Sequence, residues 1–513
     1  MAVIGTLIKN TTKYASYVAD KPISKGVENQ EKQLKKLLIK AKKTEFGKDF
    51  KFQTILKSEN IISTFQDTVP VFDYNTMFQL YWHKTLNGVK DVSWPGKIKN
   101  FALTSGTTGA ASKRIPVSDK MIASIKRAGI KQFLSFSKID VPADFYESDI
   151  LFLGGSTELT NINAHLEGDL SGIITGKVPQ WLAPFSKPNR RVRAMKNWEE
   201  KIDAIVQDAP NWDIGIICGV PSWIQMMVER IIDRYGLVSI FDIWPNFKIY
   251  VHGGVHFDPY YTIFNTLFNE QVIYLDSYLT SEGFFAYQPL HSEALELITN
   301  NGVFYEFVPF DREHFNAEGE LLNQTGILSL NDVKVGIDYA MLITTNSGTW
   351  RYLIGDTVRF TDLEKFKLKI TGRTKHFLSL CGEHLSVDNM TEALTKISVE
   401  LQIDIREFVV IGEENNGFFA HRWFISSDKS IELEVLRLKL DAALRSFNDD
   451  YNLERQFALS EIHVHIIPTT YFYDFMKVKG KYGAQHKFPR VMKGKYAEDW
   501  LLFLKDVKNI SLS

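Results

Sequence analysis

Between about residue 100 and residue 360, short apolar runs alternate with amphipathic helical stretches, and this alternation constrains the fold most strongly. Residues 149–153, 214–218, 247–251, 272–275, 304–308 and 341–345 read as strands, and 120–138, 198–207 and 221–235 as helices. Strands separated by helical stretches predict an α/β fold with a substantially parallel sheet, whose ligands bind at the carboxyl ends of the strands. After Lys375 the pattern becomes a smaller α+β unit. A helix is predicted near 387–401, strands near 408–412 and 421–426, a helix over 432–447 and a strand over 461–467. The boundary falls near 373–376, which predicts a large domain over 1–374 and a smaller C-terminal one over 375–513.

Composition narrows the function classes. Lys+Arg 60 against Asp+Glu 61 gives a net charge of −1, so no global field draws in nucleic acid or anionic lipid. Cys218 and Cys381 are too few for a disulfide framework or a four-thiolate zinc site, and they suit a reducing cytoplasm. The apolar start of the chain ends at Lys9 without a signal-peptide pattern, and no 18 apolar residues run together. These features predict a cytoplasmic protein with no membrane or nucleic-acid partner, and a monomer. Residues 30–49, QEKQLKKLLIKAKKTEFGKD, place Leu34, Leu37, Leu38 and Ala41 at helical spacing, which reads as a surface helix with a solvated lysine face. Aromatic residues reach 13%, enough for a large core and for a flat apolar pocket.

The strongest local signal is Thr104-Ser-Gly-Thr-Thr-Gly-Ala-Ala-Ser-Lys-Arg-Ile-Pro116. Glycines allow close backbone approach, hydroxyls and amides donate hydrogen bonds, and a lysine neutralises charge, so polyphosphate oxygens are natural guests. An ordinary Ser/Thr/Gly turn is the alternative. The loop lacks the Walker A spacing, and the chain carries neither a G-x-S-x-G elbow nor a Rossmann G-x-G-x-x-G. The pairs His252/His256 and His463/His465 lack companions at zinc spacing and read as structural.

Two further segments follow in order: Tyr274-Leu-Asp-Ser-Tyr278-Leu-Thr280-Ser281-Glu282-Gly283, and Trp350-Arg-Tyr-Leu-Ile-Gly355-Asp356. Together with the loop they resemble the nucleotide-binding signatures of adenylate-forming enzymes, the acyl-adenylate synthetase and luciferase superfamily. Within it, the chain is similar to the Gretchen Hagen family of acyl acid–amido synthetases, the plant auxin- and jasmonate-conjugating enzymes. Lys113 and Pro116 stand at that family's offsets from Ser105-Gly106-Thr107. Gly483-Ala-Gln-His-Lys487-Phe-Pro-Arg490 is similar to its late element, though shorter before Gln485.

The resemblance implies a large N-terminal α/β domain, with sheets flanked by helices, and a smaller mobile α+β C-terminal domain. It also implies ATP and Mg²⁺ as cofactors, and a small carboxylic acid and an amino acid as substrates. Ser105, Gly106, Thr107, Thr108 and Lys113 would cradle phosphate, with Thr280 and Ser281 close to the nucleotide. Tyr278 would stack on adenine, and Asp356, at the end of a turn opened by Gly355, would accept the ribose hydroxyls, a task that suits the two oxygens of a carboxylate. Arg373 would reach ribose or phosphate, Lys375 would mark the hinge, and Glu282 would hold Mg²⁺ and act in catalysis. Lys487 would be the catalytic lysine, countering the negative charge that grows as a carboxylate attacks phosphorus. Trp223 and Phe284 are candidates for the acyl pocket, with Phe285 and Trp181 as further aromatics. An acyl-CoA ligase with a thiol acceptor and a non-catalytic nucleotide- or acyl-binding protein are the alternatives.

Overall fold

The computed structural model describes residues 5–6, 9–11, 13–14 and 26–510, apart from 105–112, 163, 178–182, 256, 269–271, 317–318, 376–377, 379, 381–382, 384, 416–417, 428, 430, 457–458, 484–485 and 509. The expected phosphate-cradle residues Ser105, Gly106, Thr107 and Thr108 therefore lie outside the described residues, as do Trp181, His256, Cys381 and Gln485.

Three sheets form among the described residues. The largest has twelve strands, and its two halves differ in pairing. Ser186–Lys187, Asp149–Phe152, Ile214–Cys218, Ile249–Gly253 and Ile273–Thr280 run parallel to their neighbours, with helices such as Trp198–Asp208, Pro221–Tyr235 and Asp258–Phe268 between them. From Gly283–Tyr287 onward the sheet is antiparallel, through Leu295–Leu297, Val303–Pro309, Asp338–Thr345, Tyr352–Asp362 and Lys367–Arg373. The expected parallel character thus stops near residue 280. A parallel crossover needs a dozen or more residues, usually a helix, and among the described residues the large-sheet strands beyond 283 are joined without a helix and pair antiparallel.

Local chemistry accounts for the element ends. Pro221 opens the helix Pro221–Tyr235, where its missing N–H costs nothing, and Gly236 closes it in the left-handed region at φ 61°. Ser118 caps Asp119–Ser135 by accepting from the Met121 amide, and Ser386 caps Val387–Leu401 through Asn389. The helix Gly26–Ala41 buries Leu34, Leu37, Leu38 and Ala41 and leaves its lysines in water. Its Gln30 is tied to the large sheet by accepting from the Tyr305 amide at 2.7 Å.

A four-stranded sheet holds Lys113–Val117, Asn100–Thr104, His165–Gly168 and Thr160–Ile162. Asn100–Thr104 and Lys113–Val117 pair antiparallel, so the glycine-rich segment connects the two strands of a hairpin. The C-terminal unit has a sheet of Leu459–Ile467, Phe418–Ser426, Phe408–Asn415 and Val491–Met492, packed by Val387–Leu401 and Leu433–Phe447. This unit does not stand apart. Phe472, Phe475, Phe488 and Trp500 belong to one apolar core with Trp198, Trp223, Ile224 and Phe264 of the large unit. No helix among the described residues is long and apolar enough to cross a membrane.

Candidate functional site

The site forms where the carboxyl ends of the parallel strands meet the antiparallel half of the large sheet. Ile273–Thr280 turns through Ser281 and Glu282 into Gly283–Tyr287, so Glu282 sits at a hairpin tip with its amide donating to Thr280 Oγ1 at 3.2 Å. The Glu282 side chain is buried, and burial raises its pKa above the usual carboxylate value, although the Thr280 hydroxyl and the charges of Lys113 and Arg373 oppose this.

Asp356 does not end a turn, as the Gly355-Asp356 pair implied. It lies within the strand Tyr352–Asp362, after Gly355 at φ 90° and beside a register shift. A glycine of this conformation inside a strand marks a local kink that re-aims the next side chain. Asp356 pairs across the sheet with Arg373. Arg373 Nε donates to Oδ1 at 2.8 Å, and the Tyr278 hydroxyl donates to Oδ2 at 2.7 Å. Each carboxylate oxygen keeps further lone-pair capacity, so the fixed acid can still accept from a diol. The charge of Asp356 is the leading reason that the Arg373 pKa is raised. Tyr278 is buried, edge-on to Phe285 at 5.2 Å, so its ring sits in the core and its hydroxyl supports Asp356.

Lys113 stands at the base of the glycine-rich hairpin, opposite Thr104, with its ammonium over the Tyr74 ring at 5.3 Å. Burial lowers its pKa and the nearby Glu282 raises it, which places the two in one electrostatic neighbourhood. Lys487 arrives from the C-terminal unit and donates to the Gly254 carbonyl. Gly254 has φ 86°, and a Cβ there would collide with the Lys487 ammonium. Lys487 is exposed, yet the surrounding protein lowers its pKa to about 8. Burial leads, Arg373 adds to it, and Asp356 and Asp276 oppose it. A cation whose charge is balanced between two carboxylates and a guanidinium is suited to a substrate that brings its own negative charge.

Sequence reading passed over Asp276, and took as structural the His252 that lies beside it. Burial pushes the Asp276 carboxyl up to about 6, with Asp258 adding to this and the Ser277 amide and Lys487 opposing it. Period-two spacing from Tyr278 puts Asp276 on the same strand face, a signal that was available. His252 is stacked on Phe257 at 4.1 Å, and burial holds its pKa near 3, so it is neutral at working pH. Its Nδ1 is 3.5 Å from Asp276. Lys375 follows the last strand of the large sheet and pairs with Glu320 at 3.4 Å, both side chains exposed, a contact of little energetic weight.

The two acyl-pocket candidates are not brought together. Trp223 is buried edge-on to Trp198 at 5.1 Å and Tyr482 at 5.2 Å, at the seam with the C-terminal unit. Phe284 is buried in the separate core beneath the antiparallel strands.

The residues present fit a nucleotide with a divalent cation. Mg²⁺ takes oxygen ligands and often one or two protein carboxylates. Glu282 is a buried acid whose raised pKa a nearby cation would reverse.

Comparison with known proteins agrees in extent with this geometry. Family models match along the chain: the GH3 family N-terminal domain over 20–161 and 158–273, the central domain over 296–373 and the C-terminal domain over 388–495. The 4-substituted benzoates-glutamate ligase GH3.12 of Arabidopsis thaliana is 22% identical over 80% of this chain and 81% of its own length. Jasmonoyl--L-amino acid synthetase JAR6 of Nicotiana attenuata is 23% identical over 72% of each chain. A shorter match, to indole-3-acetic acid-amido synthetase GH3.2 of Arabidopsis thaliana, is 34% identical and spans only 16% of each chain. Among solved structures, a GH3.15 acyl acid amido synthetase superposes with a TM-score of 0.77 at 15% identity, covering 95% of this chain and 96% of that one. A 2-hydroxyisobutyryl-CoA ligase in the postadenylation state gives 0.60 at 12% identity, covering 93% and 91%. Both likenesses are of fold.

Proposed function

The chain belongs to the GH3 family, and on that premise we propose that it is an ATP-dependent ligase joining a small carboxylic acid to an amino acid. The relatives named above conjugate benzoates to glutamate or jasmonate to amino acids, judging by their names, which supports an acyl acid and an amine as this chain's substrates. In the first step the carboxylate oxygen attacks the α-phosphorus of ATP, the bond to pyrophosphate breaks, and an acyl-adenylate forms. In the second step the amine attacks the acyl carbonyl, AMP leaves, and the surplus amine proton passes to water.

The observation that carries this reading is Lys487. The C-terminal unit delivers it to the Gly254 carbonyl, within electrostatic range of Asp356, Arg373 and Asp276. Asp356, braced by Tyr278 and Arg373, would hold the ribose diol, and Arg373 would also face the phosphates. Lys113 and the hairpin loop with Ser105, Gly106, Thr107 and Thr108 would cradle the triphosphate, beside Thr280 and Ser281. The Lys487 ammonium would counter the charge that builds on the attacking and phosphoryl oxygens, the kind of preorganised stabilisation that dominates many enzymes. Glu282 would hold Mg²⁺, which when bound neutralises phosphate charge. Residues 1–374 would thus bind ATP and acid, while 375–513 act as a lid that turns at Lys375 between the two steps. The near-zero net charge supports small-molecule substrates over nucleic acid.

The test combines the full chain with ATP, Mg²⁺ and a panel of aromatic and aliphatic acids, with amino acids or coenzyme A added separately. The expected product has the mass of an acyl–amino acid amide, formed with AMP. A thioester product would replace the amide reading with an acyl-CoA ligase. ATP binding without turnover of any acid would leave a nucleotide-binding protein.

A further inference from the structure

Three residues after Lys487, Arg490 enters a buried cluster that neither the ATP site nor the apolar core accounts for. Arg490 Nη1 donates to Glu407 Oε2 and to the Phe408 carbonyl, and its guanidinium lies 4.7 Å from the centre of the Phe408 ring. The other carboxylate oxygen, Oε1, accepts from the Tyr260 hydroxyl at 3.4 Å. Glu407 and Arg490 belong to the C-terminal unit, but Tyr260 belongs to the helix Asp258–Phe268 of the large unit. Tyr260 is 1% exposed and Glu407 3% exposed, so this polar contact across the seam is closed to water.

The cluster also connects the two backbone segments that meet at Lys487. The helix carrying Tyr260 begins four residues after Gly254, whose carbonyl accepts from Lys487. On the other side, the Arg490 carbonyl accepts from the Val410 amide at 2.9 Å, and Val491–Met492 continues as a parallel strand beside Phe408–Asn415. Between Lys487 and Arg490, Phe488 is buried against Phe472 and Trp500. The chain from Lys487 to Arg490 is therefore short, packed and anchored, and a phenol of the large unit reaches that anchor. The neighbouring Arg406 makes another crossing, to Glu229 at 3.3 Å, nearer the surface.

We propose that Tyr260 is a positioning residue: through the Glu407–Arg490 pair it holds the Lys487 segment in the arrangement that performs adenylation. Withdrawing the phenol from a buried carboxylate is costly, because it leaves an acceptor closed to water short of a hydrogen bond. Rotation of the C-terminal unit would strip the phenol from Glu407, whereas Glu407–Arg490, both within that unit, would travel together. The latch thus favours the first half-reaction over the second. It rests on the two-step reading above.

The test is Tyr260→Phe in the full chain, which removes one oxygen and keeps the ring in its core. Acid-dependent exchange of pyrophosphate into ATP should fall about three- to tenfold in kcat, with KM for ATP unchanged. Release of amide from a supplied acyl-adenylate should be equal to wild type or faster. A merely structural role would lower both half-reactions together or neither, and either result overturns the proposal. Amide hydrogen exchange supplies a readout that does not need activity. Tyr260→Phe should lose protection in Val491–Met492 and in Asp258–Phe268 while Asp149–Phe152 keeps its own; unchanged protection at the seam also overturns the latch. If wild type adenylates no acid yet the protection changes appear, the two-step reading fails and the seam contact stands.

Discussion

The two sides of the candidate site are built differently. Asp356, Arg373 and Tyr278 all stand on strands of the large sheet, and their hydrogen bonds at 2.7 and 2.8 Å close within that sheet. Lys487 comes from another unit, 233 residues along the chain from the carbonyl it meets, and its position depends on how two units pack. The carboxylate side is set when the sheet folds; the lysine side is set when the seam closes. On the proposed function, a rigid binding wall with a delivered cation would let one site hold ATP before committing it to reaction.

That contrast can be broken from either side. The largest effect is expected for Lys487→Ala: acid-dependent pyrophosphate exchange should fall by about 10²–10³-fold. Exchange within a few-fold of wild type would show that the delivered cation is idle. Asp356→Asn removes the charge paired with Arg373 and weakens the acceptor for the diol. ATP affinity should drop by about tenfold or more, the scale of a charge-assisted hydrogen bond, read by equilibrium binding without acid. Gly254→Ala tests the meeting point itself. Backbone strain at φ 86° and a methyl in the path of Lys487 should lower exchange by about tenfold, with ATP affinity close to wild type. The smallest effect is in pH. With the Lys487 pKa lowered to about 8, the group is charged below that value and loses its proton above it, so adenylation should decline as pH rises. Between pH 7 and 8.5 the decline should be about fourfold, and it should vanish against the residual rate of Lys487→Ala.

The same contrast separates what the sequence made legible from what it did not. The helices Pro221–Tyr235 and Val387–Leu401 and the strand Ile214–Cys218 follow the residue pattern closely, because periodicity and caps are local signals. The motif residues Tyr278, Asp356, Arg373 and Lys487 do gather in one region. Their roles toward one another were less visible: the Tyr278 hydroxyl is spent on Asp356, and Gly355 marks a kink within a strand where a turn was expected. The aromatic surplus gave no guide to the acyl pocket, since Trp223 and Phe284 pack in different cores. Arg490 stood in a quoted motif, but its partner lies 83 residues away, a pairing that spacing along the chain does not encode.

The account is tested most directly by measuring ATP affinity and pyrophosphate exchange side by side in Lys487→Ala and Asp356→Asn. It predicts a crossed pattern. Lys487→Ala should bind ATP nearly as wild type does and fail to exchange, while Asp356→Asn should bind weakly yet exchange measurably once ATP is raised to saturation. If Lys487→Ala weakens ATP binding as much as Asp356→Asn and exchanges normally when saturated, the division between a prebuilt nucleotide wall and a delivered catalytic lysine is wrong.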